Sequence, residues 1–135
     1  MGEFGIGQPV PRTEDPRLLR GGGQYTDDLE LARQAYGYIL RSPHAHADIR
    51  SIDTAAAGAA PGVLLVLTGT DWDEAGFSDF PVHVMRETRD GSPMFIPPRR
   101  GLAQGRVRQV GEPVAFVVAE TLSQARDAAE LIAVD

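Results

Sequence analysis

The octapeptide RSPHAHAD, residues 41–48, sets His44, His46 and Asp48 at every second position. In an extended segment the period of two would put all three on one face. Imidazoles and a carboxylate so placed suit a metal site, a proton-transfer site or a polar strand edge. A metal centre needs three or more ligands and a supporting shell, with Asp48 or His83 completing the set. Arg41 and Arg50 bracket the stretch, however, and their charge disfavours a cation. Hydrogen-bonded structural histidines near a strand turn are the expected reading.

Other candidates are less specified. His83 with Glu87 or Asp79 offers a general-base pair, but no nucleophile accompanies it. The acidic pairs Asp71/Asp73 and Asp27/Asp28 read as helix caps and solvated charge rather than an acid–base dyad. GGGQ at 21–24 and QVGEP at 109–113 are not phosphate loops, since neither has the spacing of a dinucleotide or Walker motif. No catalytic, cofactor-binding or metal-ligating residue is therefore assigned.

The 135 residues suit one ordinary domain, and 42% hydrophobic with 24% charged residues is a globular balance. With no cysteine, the chain cannot supply thiolates for catalysis, disulfides, iron–sulfur clusters or structural zinc. The formal charge of -6 argues against nucleic acid as a partner. No apolar run is long enough to span a membrane and no leader pattern opens the chain, so a cytoplasmic location is expected.

Residues 1–34, with Pro9, Pro11, Pro16 and the Gly21–Gly23 corner, read as an extended N-terminal arm. Residues 35–135 read as the domain proper. AYGYILRS (35–42) is a strand with Tyr36, Tyr38 and Leu40 on one face, and HADIRSID (46–53) a second strand. AAAGAA is helix-prone, and GVLLVLTG (62–69) reads as a central strand covered on both faces. Thr70 is placed to cap one helical turn in TDWDEAG. A long irregular loop with a turn at Asp90-Gly91 follows, and such loops usually serve function or a partner. PVAFVVAE (113–120) is another strand with apolar side chains on both faces. Thr121 and Gln124 stand at capping-box spacing, and Leu122, Ala125, Ala129 and Ile132 predict an amphipathic helix with Leu122 buried. The expectation is an α+β fold with a small mixed β-sheet, four or so strands and two main helices on one side. Val134-Asp135 stands where a further strand would begin, which suggests truncation before the last strand. Two functional classes fit: a non-catalytic domain of a larger enzyme, or a stand-alone small-molecule or protein-binding module.

The order of three blocks narrows this. GQPVPRTEDPRLLRGGGQYTDD (7–28), YILRSPHAHADIRSIDTAAAGAAPGVLLVLTGTD (38–71) and VRQVGEPVAFVVAETLSQARDAAELIAVD (107–135) together resemble the N-terminal a/b hammerhead domain of molybdenum hydroxylase large subunits. These are the xanthine dehydrogenase, aldehyde oxidase and aerobic carbon monoxide dehydrogenase enzymes. Gln8, Pro9, Arg12, Glu14, Asp15, Arg17 and Leu18 match the leading segment, and Gly21, Gly23, Tyr25 and Asp27 its glycine corner. Arg41, Ser42, Pro43, His44 and His46 match the first strand turn, and Gly111, Glu112 and Pro113 the start of the inner strand.

The resemblance implies a parent oxidoreductase acting on a purine, aldehyde, N-heterocycle or carbon monoxide with water as oxygen source. It implies molybdopterin-bound molybdenum, two iron–sulfur clusters and usually FAD in that parent, none of them held by this chain. The implied partners are the molybdenum-binding domains of the same large subunit, and the iron–sulfur and FAD subunits or domains. It attaches no metal duty to RSPHAHAD. The arm and the central loop, with Phe4, Ile6, Phe77, Phe80, Met94, Phe95 and Ile96, are the expected partner surfaces.

Overall fold

The computed structural model describes residues 11–135, so Phe4, Ile6, Gln8 and Pro9 lie outside the described residues. The chain divides into two units, residues 1–32 and 33–135. In the first, helix α1 (Asp15–Leu18) has Pro16 in its opening turn, where a missing N–H costs nothing. Arg17 closes on Glu14 at 2.7 Å, and a short 3₁₀ turn at Thr26–Asp28 follows.

The second unit is built on β1 (Tyr36–Arg41), β4 (Val63–Thr68) and β6 (Pro113–Ala119), hydrogen-bonded in the order β1-β6-β4. Both pairings are antiparallel. Two-residue strands make two further antiparallel pairs: β2 (Ala47–Asp48) with β5 (Arg106–Val107), and β3 (Ile52–Asp53) with β7 (Ala133–Val134). The expected mixed sheet is thus antiparallel throughout, and seven strands among the described residues replace four. The expected single strand over 46–53 is split. The Ile49 amide donates to Gly105 and the Arg50 amide to the Asp135 carbonyl, so the chain passes from one partner segment to another. Strand β7 forms at Ala133–Val134, the position where the sequence places only the beginning of a further strand.

Helix α4 (Leu122–Glu130) is the longest of the described helices, and Thr121 caps it by accepting from the Gln124 amide. Its Ala125, Ala128 and Ala129 lie flat against Ala115, Val117 and Ala119 of β6, with Ala57 of α2 (Ala55–Gly58) in the same cluster. Small side chains on both sides let the helix and sheet approach closely. Ile132 closes the cluster, and the Arg126 guanidinium lies 5.9 Å from the Tyr38 ring centroid. Leu122, expected inside, is 38% exposed. The first turn of α4 begins just after β6 has ended, so angular position alone does not bury it. Leu122→Ala is therefore expected to cost under about 1 kcal/mol in thermal denaturation, against about 2–5 kcal/mol for a fully buried leucine. A loss in the upper range would restore the buried assignment.

Strand β4 is an edge rather than a centre. A bulge between Val63 and Leu65 interrupts its pairing, and Leu64 and Leu65 are exposed. Helix α3 (Gly69–Glu74) is capped not by Thr70 but by Thr68, whose amide and hydroxyl donate to Asp71 at 2.7 and 2.6 Å. The Thr68 hydroxyl, then its amide, hold the Asp71 carboxyl below the usual range. The loop beyond is irregular, as expected. Trp72 gathers Phe77 and Phe80 at 4.8 and 6.4 Å, and the Asp90-Gly91 turn forms with Gly91 at φ 81°.

Candidate functional site

RSPHAHAD is not an extended segment through its middle. Pro43 has no amide to donate, and the His44 amide donates to Ser42 Oγ at 3.1 Å, a local bond that competes with strand pairing. Residues 42–46 bend, and pairing resumes only at Ala47. The alternation that would have aligned His44, His46 and Asp48 is broken.

Asp48 is already committed. It stands opposite Arg106 in the β2–β5 pair, and Arg106 Nε donates to Asp48 Oδ1 at 2.5 Å. That hydrogen bond, with the guanidinium charge, holds the Asp48 carboxyl below its ordinary range and raises Arg106; the His46 charge adds in the same direction on Asp48. A depressed folded-state carboxyl stabilises the fold above the unfolded-state pKa, and the effect is lost as pH falls through the folded value. Arg106→Ala is expected to bring the Asp48 titration up towards its ordinary range in carboxyl-detected NMR. An unmoved titration would show that the pairing does not set it.

Two matched segments of the sequence, 70 positions apart, meet at the end of β1. Arg41 Nη1 donates to the Gly111 carbonyl at 2.8 Å, the Ser42 amide to Glu112 at 3.0 Å, and the Gly111 amide to Ser42 at 2.8 Å. Gly111 sits at φ 81°, where a side chain is strained, and the Glu112 carboxylate accepts from the Arg108 amide. RSP and GEP therefore form a clasp at the start of β6, where the β1–β6 register shifts by one residue between Leu40 and Arg41.

Beside the clasp lies a cleft of about 330 Å³. Leu40, Ile49, Val114 and Ile132 form its apolar wall, with Arg41, His44 and Asp48 among its polar groups. Arg41 and Asp48 are engaged by Gly111 and Arg106. His46 is not among its lining residues. His83 is exposed and makes no hydrogen bond to Asp79 or Glu87. Asp73 pairs with Arg100 at 3.0 Å while Asp71 caps α3, so that acidic pair is divided between two structural duties. Asp28 accepts from the Tyr25 amide at 2.9 Å. Sequence reasoning missed Arg106 as the partner of Asp48, because no local pattern links residues 58 apart.

The aldehyde oxidase and xanthine dehydrogenase a/b hammerhead domain family matches residues 20–135. The chain belongs to this family. The hammerhead chain is 43% identical over 132 residues to the nicotine 6-hydroxylase large subunit of Paenarthrobacter nicotinovorans, covering 96% of this chain and 15% of that protein. It is 40% identical over 131 residues to the carbon monoxide dehydrogenase large chain of Afipia carboxidovorans, covering 97% and 15%. Among solved structures, quinoline 2-oxidoreductase from Pseudomonas putida 86 superposes with a TM-score of 0.81 at 45% identity, covering 93% of this chain and 15% of that one. The hammerhead chain thus spans about 15% of the length of these relatives.

Of the redox groups that the family implies, a cysteine-held iron–sulfur cluster does not fit this chain, which has no cysteine. Among the described residues no group of three or more His, Cys, Asp or Glu side chains converges on a metal position. The turn at Gly111 leads into a strand, β6, rather than into a helix N-terminus that would receive a phosphate. Among the described residues no helix is long and apolar enough to cross a membrane.

Proposed function

We propose that this hammerhead chain is a non-catalytic structural domain of a molybdenum hydroxylase large subunit, with residues 1–34 as its arm and 35–135 as its folded body. The parent enzyme, on this reading, oxidises a purine, aldehyde, N-heterocycle or carbon monoxide with water as oxygen source. Molybdopterin-bound molybdenum, two iron–sulfur clusters and, as is usual in the family, FAD would be held by other parts of it. The observation that carries the reading is a match over residues 20–135 to a domain family, combined with a span of about 15% of the relatives' length. It is supported by Asp48, Asp71 and Arg41, side chains with chemical potential that are each tied to a structural partner. The exposed Phe77, Phe80, Phe95 and Ile96 of the loop, which a free-standing domain would hide, fit a surface that meets partner domains.

Chain purified from a host that makes the molybdenum cofactor is expected to carry no stoichiometric molybdenum, iron or zinc. It is expected to reduce no dye with purines, aldehydes, N-heterocycles or carbon monoxide. One metal per chain, lost when His44 and His46 are both replaced by alanine, would overturn the structural assignment. Sequencing the natural gene past codon 135 tests the parent: a long reading frame with molybdopterin-contacting segments is expected. A stop codon there would favour the stand-alone binding module instead.

A further inference from the structure

We propose that Asp90 is a site of isoaspartate formation that its own turn keeps locked. The hydroxyls of Thr88 and Ser92 hold the Asp90 carboxylate, so that it cyclises onto the Gly91 amide only when the turn opens.

The chain has no asparagine and a single Asp-Gly pair, Asp90-Gly91. An aspartate before glycine is prone to cyclise, because no side chain shields the next amide and the backbone there is free to turn. The Gly91 nitrogen attacks Asp90 Cγ, an N–C bond forms, and the carboxyl OH leaves with the amide proton as water. The succinimide then adds water at either carbonyl. Opening on one side returns aspartate; opening on the other leaves isoaspartate, with the main chain running through the former side-chain carboxyl. Nothing is oxidised or reduced. The step needs a protonated carboxyl, since an ionised one is a poor leaving group, and a Gly91 amide free of other bonds.

Burial does not withhold these conditions, for Asp90 and Gly91 are both exposed. Hydrogen bonds do. Residues 86–94 close as a small hairpin within the loop: the Thr88 amide donates to the Ser92 carbonyl at 2.8 Å, and the Met94 amide to the Arg86 carbonyl at 3.1 Å. Glu87 and Pro93 face each other between them. At the tip, Asp90 Oδ1 accepts from the Thr88 hydroxyl, from the Ser92 hydroxyl at 2.7 Å and from the Ser92 amide at 3.1 Å. Donors of this kind favour the ionised form. The Thr88 hydroxyl, then that of Ser92, hold the Asp90 carboxyl well below its ordinary range, so the protonated form that cyclisation needs is scarce. The Gly91 amide is engaged too, donating to the Thr88 carbonyl at 3.0 Å. The two hydroxyls stand 2.5 Å apart, so removing either loosens the hold of the other. One turn thus restrains both the group attacked and the group that attacks.

Ageing the 135-residue chain in mildly acidic buffer beside a synthetic peptide of residues 84–96 tests this, with isoaspartate counted by enzymatic carboxyl methylation and located by peptide mapping. The folded chain is expected to accumulate isoaspartate at residue 90 several-fold more slowly than the peptide. Thr88→Val and, independently, Ser92→Ala are expected to bring the rate several-fold up, towards that of the peptide. Their melting by circular dichroism should stay unchanged, because the turn belongs to neither core cluster. Thr88→Ser keeps a hydroxyl and is expected to keep the slow rate. A folded chain that isomerises as fast as the peptide would overturn the proposal. So would equal acceleration in Thr88→Val and Thr88→Ser, which would assign the protection to the shape of the side chain rather than to its hydroxyl.

Discussion

Val117→Asp is expected to unfold residues 33–135 under conditions where the native chain is stable. Val117 is fully buried and is the largest such side chain among the described residues. It sits at the middle of β6, paired to both neighbouring strands, with the alanine face of α4 against it. The buried members of that cluster are all apolar, so a carboxylate would be stranded among them or forced to protonate. An uncompensated buried charge costs on the order of 3–5 kcal/mol, a large part of the roughly 5–15 kcal/mol that holds a domain together. A fall in melting temperature of roughly 15 °C or more, or loss of a cooperative transition, is expected by circular dichroism. Leu65→Asp, on the other face of the sheet and half exposed, is the matched comparison and should move it little. A native-like melt for Val117→Asp would mean that α4 does not pack where its alanines lie.

Gly69→Val tests the other close approach in the fold. Gly69 is buried at the junction of β4 and α3, and a Cβ there would stand 2.5 Å from the Ala103 carbonyl oxygen and 3.1 Å from its carbon. These are backbone atoms, and the segment has little freedom to retreat. Ala103 is itself buried, and its amide donates to Pro113 at the start of β6 at 2.7 Å. Overpacking a fixed contact of this kind costs about 1–3 kcal/mol, and valine, with two further methyl groups, belongs at the upper end. Urea denaturation is expected to give a lower midpoint with an unchanged slope, the signature of lost stability in an unchanged two-state transition. An unchanged midpoint would show that the Ala103 segment moves freely away from β4.

Both substitutions fall on features of very different visibility. The run PVAFVVA marks β6 as a strand with apolar residues on both faces, and Val117 is inside it. Nothing around Gly69 announces its role, because the atom it touches comes from a loop residue 34 positions later. The site shows the same division. The flanking arginines argue against a metal at RSPHAHAD, yet the arginine that engages Asp48 is Arg106, outside the segment. The block matches found both halves of the clasp, Arg41–Pro43 and Gly111–Pro113, but not that they bind each other.

What the sequence by itself determined are the properties set by neighbours along the chain. Apolar runs placed β4 and β6 at 63–68 and 113–119, the Thr121–Gln124 spacing placed the start of α4, and the absence of cysteine excluded thiolate-held clusters. The ordered blocks carried the family. Only the tertiary structure decided which strand is central and which is an edge, which face of β6 meets a helix, that Leu122 stays half in solvent, and which residues engage Asp48 and Arg41. The reason is physical: a run such as GVLLVLTG reports that its side chains avoid water, and that preference is the same at the middle of a sheet and at its rim. Pairing, burial and the partner of each polar group depend on segments distant in the chain, and these are settled only when the chain closes upon itself.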